Sequence, residues 1–205
     1  MIKKTNTKNL KLVRALALAA ALCYSAWIFG YIFNYGVALV GPASDLAVKD
    51  QPYSYLFLWS DIVASSLVLL LGAYLYDLNN FLKTNSITIL YMLFGVLTAA
   101  AALNPLTCIA GQSGCIDTGY STHIFLGALA SICLLIASVL ELARRSKHTI
   151  LLVLAVCVWA VLGMYDIVFQ SQGPSVVTAI SQRALLGLVA WFIYYIPVNV
   201  ARSRK

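Results

Sequence analysis

Asp61, His123, Asp166 and Arg183 each sit inside a run of apolar residues. An ionisable side chain within a membrane span costs on the order of 3 kcal/mol on insertion scales, so each demands a partner or a purpose. Two acids, an imidazole and a guanidinium can take up protons, couple an ion to a solute, or hold a charged head group. Ser65 follows Asp61 by one helical turn on the same face, and Gly127 and Ser131 repeat that spacing after His123. Small residues on such a stripe permit close approach of a neighbouring helix.

The best argued contact is Asp166 with Arg183. Counting from Gly173 in the turn 171–175, Asp166 lies seven residues down one helix and Arg183 ten residues down the next. At about 1.5 Å per residue their depths differ by about 4 to 5 Å, which an arginine spans. The spacing predicts a salt bridge across this hairpin, serving as a lock for the bundle or as one wall of a polar pocket. Asp61, Ser65, His123, Asp166 and Arg183 are the ligand-binding candidates of that pocket.

Composition dictates the elements that position them. Of the 205 residues, 61% are hydrophobic and only 10% charged, against about 25% charged in soluble domains. Lipid is the solvent, and in lipid only helices and closed barrels satisfy the backbone. Unbroken apolar runs choose helices over the ten-residue alternation of barrel strands. Six stretches approach the length of about 20 apolar residues that a span needs: 13–33, 55–76, 87–103, 122–142, 150–169 and 176–198. Asn104 and Pro105 close the third, since proline cannot continue the hydrogen-bond ladder. The expected fold is all-α, a single polytopic six-helix transmembrane bundle over residues 1–205.

The basic residues orient this bundle. Lys3, Lys4, Lys8, Lys11, Arg14, Lys83, Arg144, Arg145, Lys147, Arg202, Arg204 and Lys205 fall on one side of six spans, leaving Lys49 and Arg183 outside that set. That asymmetry predicts cytoplasmic amino and carboxyl termini in a plasma or inner membrane. The amino-terminal basic and apolar run continues through Trp27 and Phe33, too long for a signal-peptide core, and Leu22 before Cys23 spoils a lipoprotein cleavage site. It reads as a retained first helix. Tyr31, Tyr35, Tyr53, Tyr55, Trp59 and Phe169 fit an outer aromatic belt, and Tyr74, Tyr76, Tyr194 and Tyr195 an inner one. Two outer loops, 34–54 and 104–121, are long enough to have character. The second holds Cys108 and Cys115, seven residues apart with Gly111 and Gly114 between them, a spacing that closes into a disulfide on the oxidising side of a membrane.

Several function classes are excluded. The net charge of +7 comes from short clusters between apolar runs, with no soluble segment interleaving basic and aromatic residues, so nucleic acid is not a partner. Gly111, Gln112, Ser113 and Gly114 spell a rhomboid-like serine motif, but inside a loop rather than at the start of a buried helix. Ceramidase-type zinc chemistry needs several histidines, and His148 lies on the side opposite His123. One histidine and two aspartates show no specific metal spacing, no span carries a lysine for a retinal Schiff base, and no cofactor is called for.

The loops carry a resemblance. Ser44, Asp45 and Leu46 form a serine-aspartate-leucine element in the first outer loop, followed by the proline and aromatic run from Pro52 to Trp59. Asp117, Gly119 and His123 lead into the fourth helix, and Gln182 and Arg183 open the last. In this arrangement the chain resembles the bacterial and archaeal membrane family called domain of unknown function 998, over nearly its whole length. Ala47 stands where that element is usually followed by glycine, so the turn must be one an alanine can make. The resemblance implies six helices and a shared role, structural or functional, for Asp45, His123 and Arg183.

The reading that follows is a non-enzymatic multi-pass protein with an outer-leaflet polar pocket for a lipid head group or small polar ligand. Its expected partners are membrane lipids, a second copy of itself, or a membrane complex that it serves as accessory subunit. A small transporter or ion-coupled permease is the first alternative and an intramembrane hydrolase the second.

Overall fold

A chain in lipid must close its backbone hydrogen bonds upon itself. The computed structural model, which describes residues 7–77, 82–109, 120–144, 153–159, 161–163 and 175–202, does so with helices and contains no strand among those residues. In chain order these are α1 (Thr7–Tyr24), α2 (Gly30–Phe33), α3 (Tyr35–Val40), α4 (Ser54–Asp77), α5 (Leu82–Leu103), α6 (Tyr120–Arg144), the shorter apolar α7 (Val153–Gly163) and α8 (Val176–Arg202). By length and hydropathy α4, α5, α6 and α8 can each cross a membrane, and the pair Asn9–Tyr24 and Ala26–Phe33 makes a fifth span if its bent halves count as one. The helical class and the second, third, fourth and sixth expected spans thus agree with the sequence. The fifth, 150–169, lies partly outside the described residues.

The first span is not the continuous helix that its apolar run suggests. Ser25 turns its hydroxyl back to donate to the Ala21 carbonyl at 2.8 Å. The chain then tightens into a 3-10 turn over Ala26–Phe33's first half, Ala26–Phe29, and bends by 41°. Hydroxyl back-bonding to the preceding turn is a known cause of helix bending. The bend brings Gly30 against Leu46, where an added Cβ would stand 2.6 Å from a leucine methyl.

The first expected loop, 34–54, is also structured. It holds α3 and a 3-10 turn, Ala43–Ala47, whose Leu46 is fully buried with Ala38 and Phe57 in a small apolar cluster. Ala47 fits because the turn is right-handed; the one positive-φ residue other than glycine among those described is Tyr53.

Contacts between Gly41 and Arg183 and between Ala43 and Gln182 set the start of α8 beside the segment that follows the first span. α8 then runs back alongside α1, so the described ends of the chain share one end of the bundle. That half is filled: Val13, Ala17, Leu71, Tyr91, Leu134, Phe192, Ile193 and Ile196 form one buried cluster. Of the expected inner-belt aromatics, Tyr74, Tyr194 and Tyr195 pack against this core and Tyr76 is exposed, whereas Tyr31, Tyr35, Tyr53, Tyr55 and Trp59 of the outer belt are all exposed. Small residues bring α4 and α5 together, since a Cβ on Gly95 would lie 3.2 Å from the Ser65 carbonyl.

Pro197 lies inside α8 and has no N–H to give the carbonyl of Ile193, one turn earlier. The buried hydroxyl of Tyr91 on α5 donates to that carbonyl at 2.8 Å. A helix break in an apolar interior is thereby repaired from the neighbouring helix and becomes a cross-link between the two. Tyr91→Phe is expected to lower stability by about 1 to 3 kcal/mol, the cost of an orphaned buried acceptor. Pro197→Ala restores the intrahelical donor, so Tyr91→Phe made on that background should cost much less. Equal losses on both backgrounds, measured by thermal unfolding in detergent, would refute the coupling.

Candidate functional site

At the opposite end of the bundle the helices part around a cavity of about 390 Å³. α6 leans on α5 and touches α8 far less, which leaves the gap between them. The wall draws on Tyr24 of α1, Trp27, Phe57, Leu58, Ser60 and Asp61 of α4, Thr98, Ala101 and Ala102 of α5, a long stripe of α6, Trp159 and Gly163 of α7, and Gln182, Leu185 and Leu186 of α8. Ala43, Ser44 and Ala47 of the 3-10 turn also line it, at the level where that turn meets the start of α8. Asp61 and His123, proposed from sequence to share a site, are therefore on one wall.

α6 presents His123, Gly127, Ser131 and Leu135 to the cavity, one residue per turn on a single face. The small residues do not bring another helix close, as the sequence suggested. Among the described residues, a Cβ on Gly127 would meet nothing within 4 Å, and the same holds for Gly163. Their smallness opens space.

His123 is fixed by the end of α5. The last carbonyls of a helix lack intrahelical donors, and Pro105 prevents continuation. Asn104 covers two of these carbonyls, its N–H donating to Ala101 and its side-chain amide to Ala100. The His123 Nδ1 lies 2.9 Å from the Ala101 oxygen and 3.1 Å from the Asn104 oxygen. Both are acceptors, so Nδ1 carries the proton, and Nε2 of the neutral ring keeps its lone pair.

The turn against α8 is held by two consecutive side chains. Gln182 accepts from the Ala43 N–H through Oε1. Arg183, 5% exposed, donates from Nη1 to the carbonyls of Gly41 at 3.0 Å and Ala179 at 2.9 Å, with its guanidinium 5.3 Å from the Tyr31 ring centroid. Asp45, 1% exposed, carries two buried carboxylate oxygens without a hydrogen-bond partner among the described residues. Gly41 lies next to both charged residues: its carbonyl takes Arg183, and a Cβ there would stand 2.8 Å from Asp45 Oδ2 and 3.0 Å from the Val37 carbonyl. Ser175 starts the supporting helix, its hydroxyl accepting from the Thr178 N–H as an N-cap.

The other expected residues fall as follows. Ser65 is buried with its hydroxyl on the Asp61 carbonyl at 2.7 Å and takes no place on the cavity wall. Arg183 stands behind the wall, next to Gln182. Asp166 lies outside the described residues, and Arg183 Nε and Nη2 have no partner among those described. Cys23, Cys133 and Cys157 are free thiols; Cys108 is partnered, and Cys115 lies outside the described residues. No group of three potential metal ligands exists among the described residues.

Sequence reasoning passed over the aromatic wall and Glu141. That acid is buried near the far end of α6 and pairs with Arg144 at 2.8 Å. Its signal was present as an acid three residues before an arginine at a helix end, where a cation also suits the helix dipole.

Burial raises the Asp45 carboxyl to about 7, against an opposite pull from the Arg183 charge. Between its ordinary value of 3.8 and about 7 the folded chain holds a proton that the unfolded chain releases, so stability falls as pH rises through that window. Asp45→Asn is expected to match the wild type near pH 4 and to melt higher near pH 8. Melting curves of the two proteins that stay parallel across the window would contradict this.

Over residues 17–197 the sequence matches the family model described as a protein of unknown function (DUF998). No curated protein and no solved structure matches it. The matched region contains the first-span bend, the turn held by Gln182 and Arg183, and every described residue of the cavity wall; the chain belongs to the DUF998 family.

Proposed function

We propose that this membrane protein binds a lipid head group or small polar ligand in the cavity beneath the 43–47 turn. One observation carries the reading: Asp61 and His123, on separate helices, line the same hollow of about 390 Å³. Small-molecule sites commonly occupy about 300–1,000 Å³, with mostly apolar walls and a few convergent polar groups. The other half of the bundle is packed with apolar side chains, which favours binding over passage and weakens the transporter reading. His123 Nδ1 is engaged with the carbonyls at the end of α5, which gives the ring a role in closing that helix end.

The cavity belongs to the outer leaflet of the plasma membrane in this reading. The bundle has six spans, α7 with its apolar flanks supplying the fifth, and both termini are cytoplasmic. Cys108 and Cys115 form a bridge in the loop facing the oxidising side. In this reading Asp166 pairs with the free edge of Arg183, behind the wall.

Reporter fusions at Lys205 and within 111–114 should give opposite compartment signals, and the same signal from both would overturn the six-span model. Native mass spectrometry of the purified protein should show a retained lipid or solute that Gly127→Leu, whose side chain projects into the hollow, has lost. In the same preparations Asp166→Asn should lower the melting midpoint, because it strands a buried arginine at a typical cost of roughly 3 to 5 kcal/mol. Unchanged ligand retention in Gly127→Leu would remove the binding reading.

A further inference from the structure

We infer that the cavity selects an organic cation, an amine or quaternary ammonium group carried on an apolar body. This rests on the binding reading above and adds the chemistry of the ligand.

Asp61 is the single formal charge on the wall among the described residues, and neither lysine nor arginine lines it there. Arg183, the nearest candidate in sequence to wall-lining Gln182, is turned to the carbonyls of Gly41 and Ala179 and to the Tyr31 ring. Of the polar groups that share the wall with Asp61, the Tyr24 hydroxyl and the Trp27 indole N–H are donors, and two others present lone pairs. His123 has its proton committed at Nδ1 to the end of α5, leaving Nε2 as acceptor. Ser60 has its hydroxyl hydrogen committed to the Phe57 carbonyl at 2.7 Å. A carboxylate, an imidazole nitrogen and a hydroxyl oxygen on one wall present negative potential to the hollow and call for positive charge.

The apolar part of the wall fits the same ligand. Tyr24, Trp27, Phe57 and Trp159 bring four aromatic rings to one cavity, and ring faces attract cations through their quadrupole. An anion would meet the Asp61 carboxylate with no counter-charge on the described wall. A neutral apolar solute would desolvate that carboxylate and return nothing, which is costly. A cation both neutralises Asp61 and uses the rings.

The test uses full-length protein in phosphatidylglycerol nanodiscs and titration calorimetry with benzyltrimethylammonium, its uncharged isostere neopentylbenzene, and 4-tert-butylbenzoate. The cation should bind, and both comparators should bind more weakly. Asp61→Asn should weaken the cation by at least roughly tenfold, the loss of one charge-assisted contact, while Asp61→Glu retains most of the affinity. Gly127→Leu should abolish binding. Adding phosphatidylethanolamine separates two sources of the same chemistry: competition with the probe points to an amine head group, and its absence to a soluble amine.

Equal affinity for the neutral isostere, tighter binding of the anion, or no effect of Asp61→Asn in a protein that still melts cooperatively would overturn the cation assignment. So would failure of the cation to bind wild-type protein. If Gly127→Leu has nonetheless lost the co-purified ligand, the binding reading stands while this assignment falls. If that variant keeps the ligand, the binding reading falls by its own test.

Discussion

The segment from Gly41 to Ala43 is irregular backbone lying against a membrane bundle, and its polar groups are satisfied by two neighbouring side chains of one helix. Arg183 serves the Gly41 carbonyl and Gln182 the Ala43 N–H. Non-helical backbone near hydrocarbon is tolerated only where protein or a water-filled cavity covers it, and this pair supplies the cover. Leu46 then seats in the cluster with Ala38 and Phe57, Gly30 meets Leu46, and the bend at Ser25 has a destination. Remove the pair and the turn has no fixed place above the cavity. The same rule governs the other breaks in the bundle: Tyr91 covers the carbonyl that Pro197 frees, and His123 covers the end of α5.

That arrangement leaves a charge imbalance in place. Asp45 and Arg183 face the same glycine, yet neither carboxylate oxygen takes a hydrogen bond, and two guanidinium nitrogens stay unengaged among the described residues. Burying one unpaired member of such a couple costs more than the pair returns in a low-dielectric interior. Protonation of Asp45 relieves the cost, which is why burial outweighs the arginine in setting its carboxyl near 7. The turn is consequently secured by the Gln182 and Arg183 side chains on its backbone.

Long apolar runs made α4, α5, α6 and α8 legible, because an uninterrupted stretch of that length in lipid has one solution. The break in the first span was not legible, since Ser25 in an apolar run looks like any small residue until its hydroxyl turns back on Ala21. Segment 34–54 reads as a loop because it lies between two apolar runs; its helix and its buried leucine depend on contacts with α8 and α4. Arg183 was assigned to Asp166 by counting along a hairpin, a local argument. Its link to Asp45 spans most of the chain, and spacing carries no signal for that; only the resemblance placed those two positions together. Asp61 and His123 were found by the cost of their types in lipid, whereas the aromatic wall was not, because aromatic residues are at home in any span.

Gly127 and Gly163 bear on whether the hollow is a flaw or a feature. Glycine inside a helix costs about 1 kcal/mol relative to alanine, and a membrane bundle ordinarily recovers that through close backbone approach, as it does at Gly95. Neither Gly127 nor Gly163 is recovered in this way by the described residues, since a methyl group at either site would touch none of them within 4 Å. Both line the same cavity, from two different helices. A bundle optimised for stability alone would carry alanine or larger residues there and close the gap. The chain instead holds glycine where side chains would intrude, beside an acid and an imidazole that are costly to keep in lipid. Stability is given up four times at one place, and the common beneficiary is open, polar-edged space of a ligand's size.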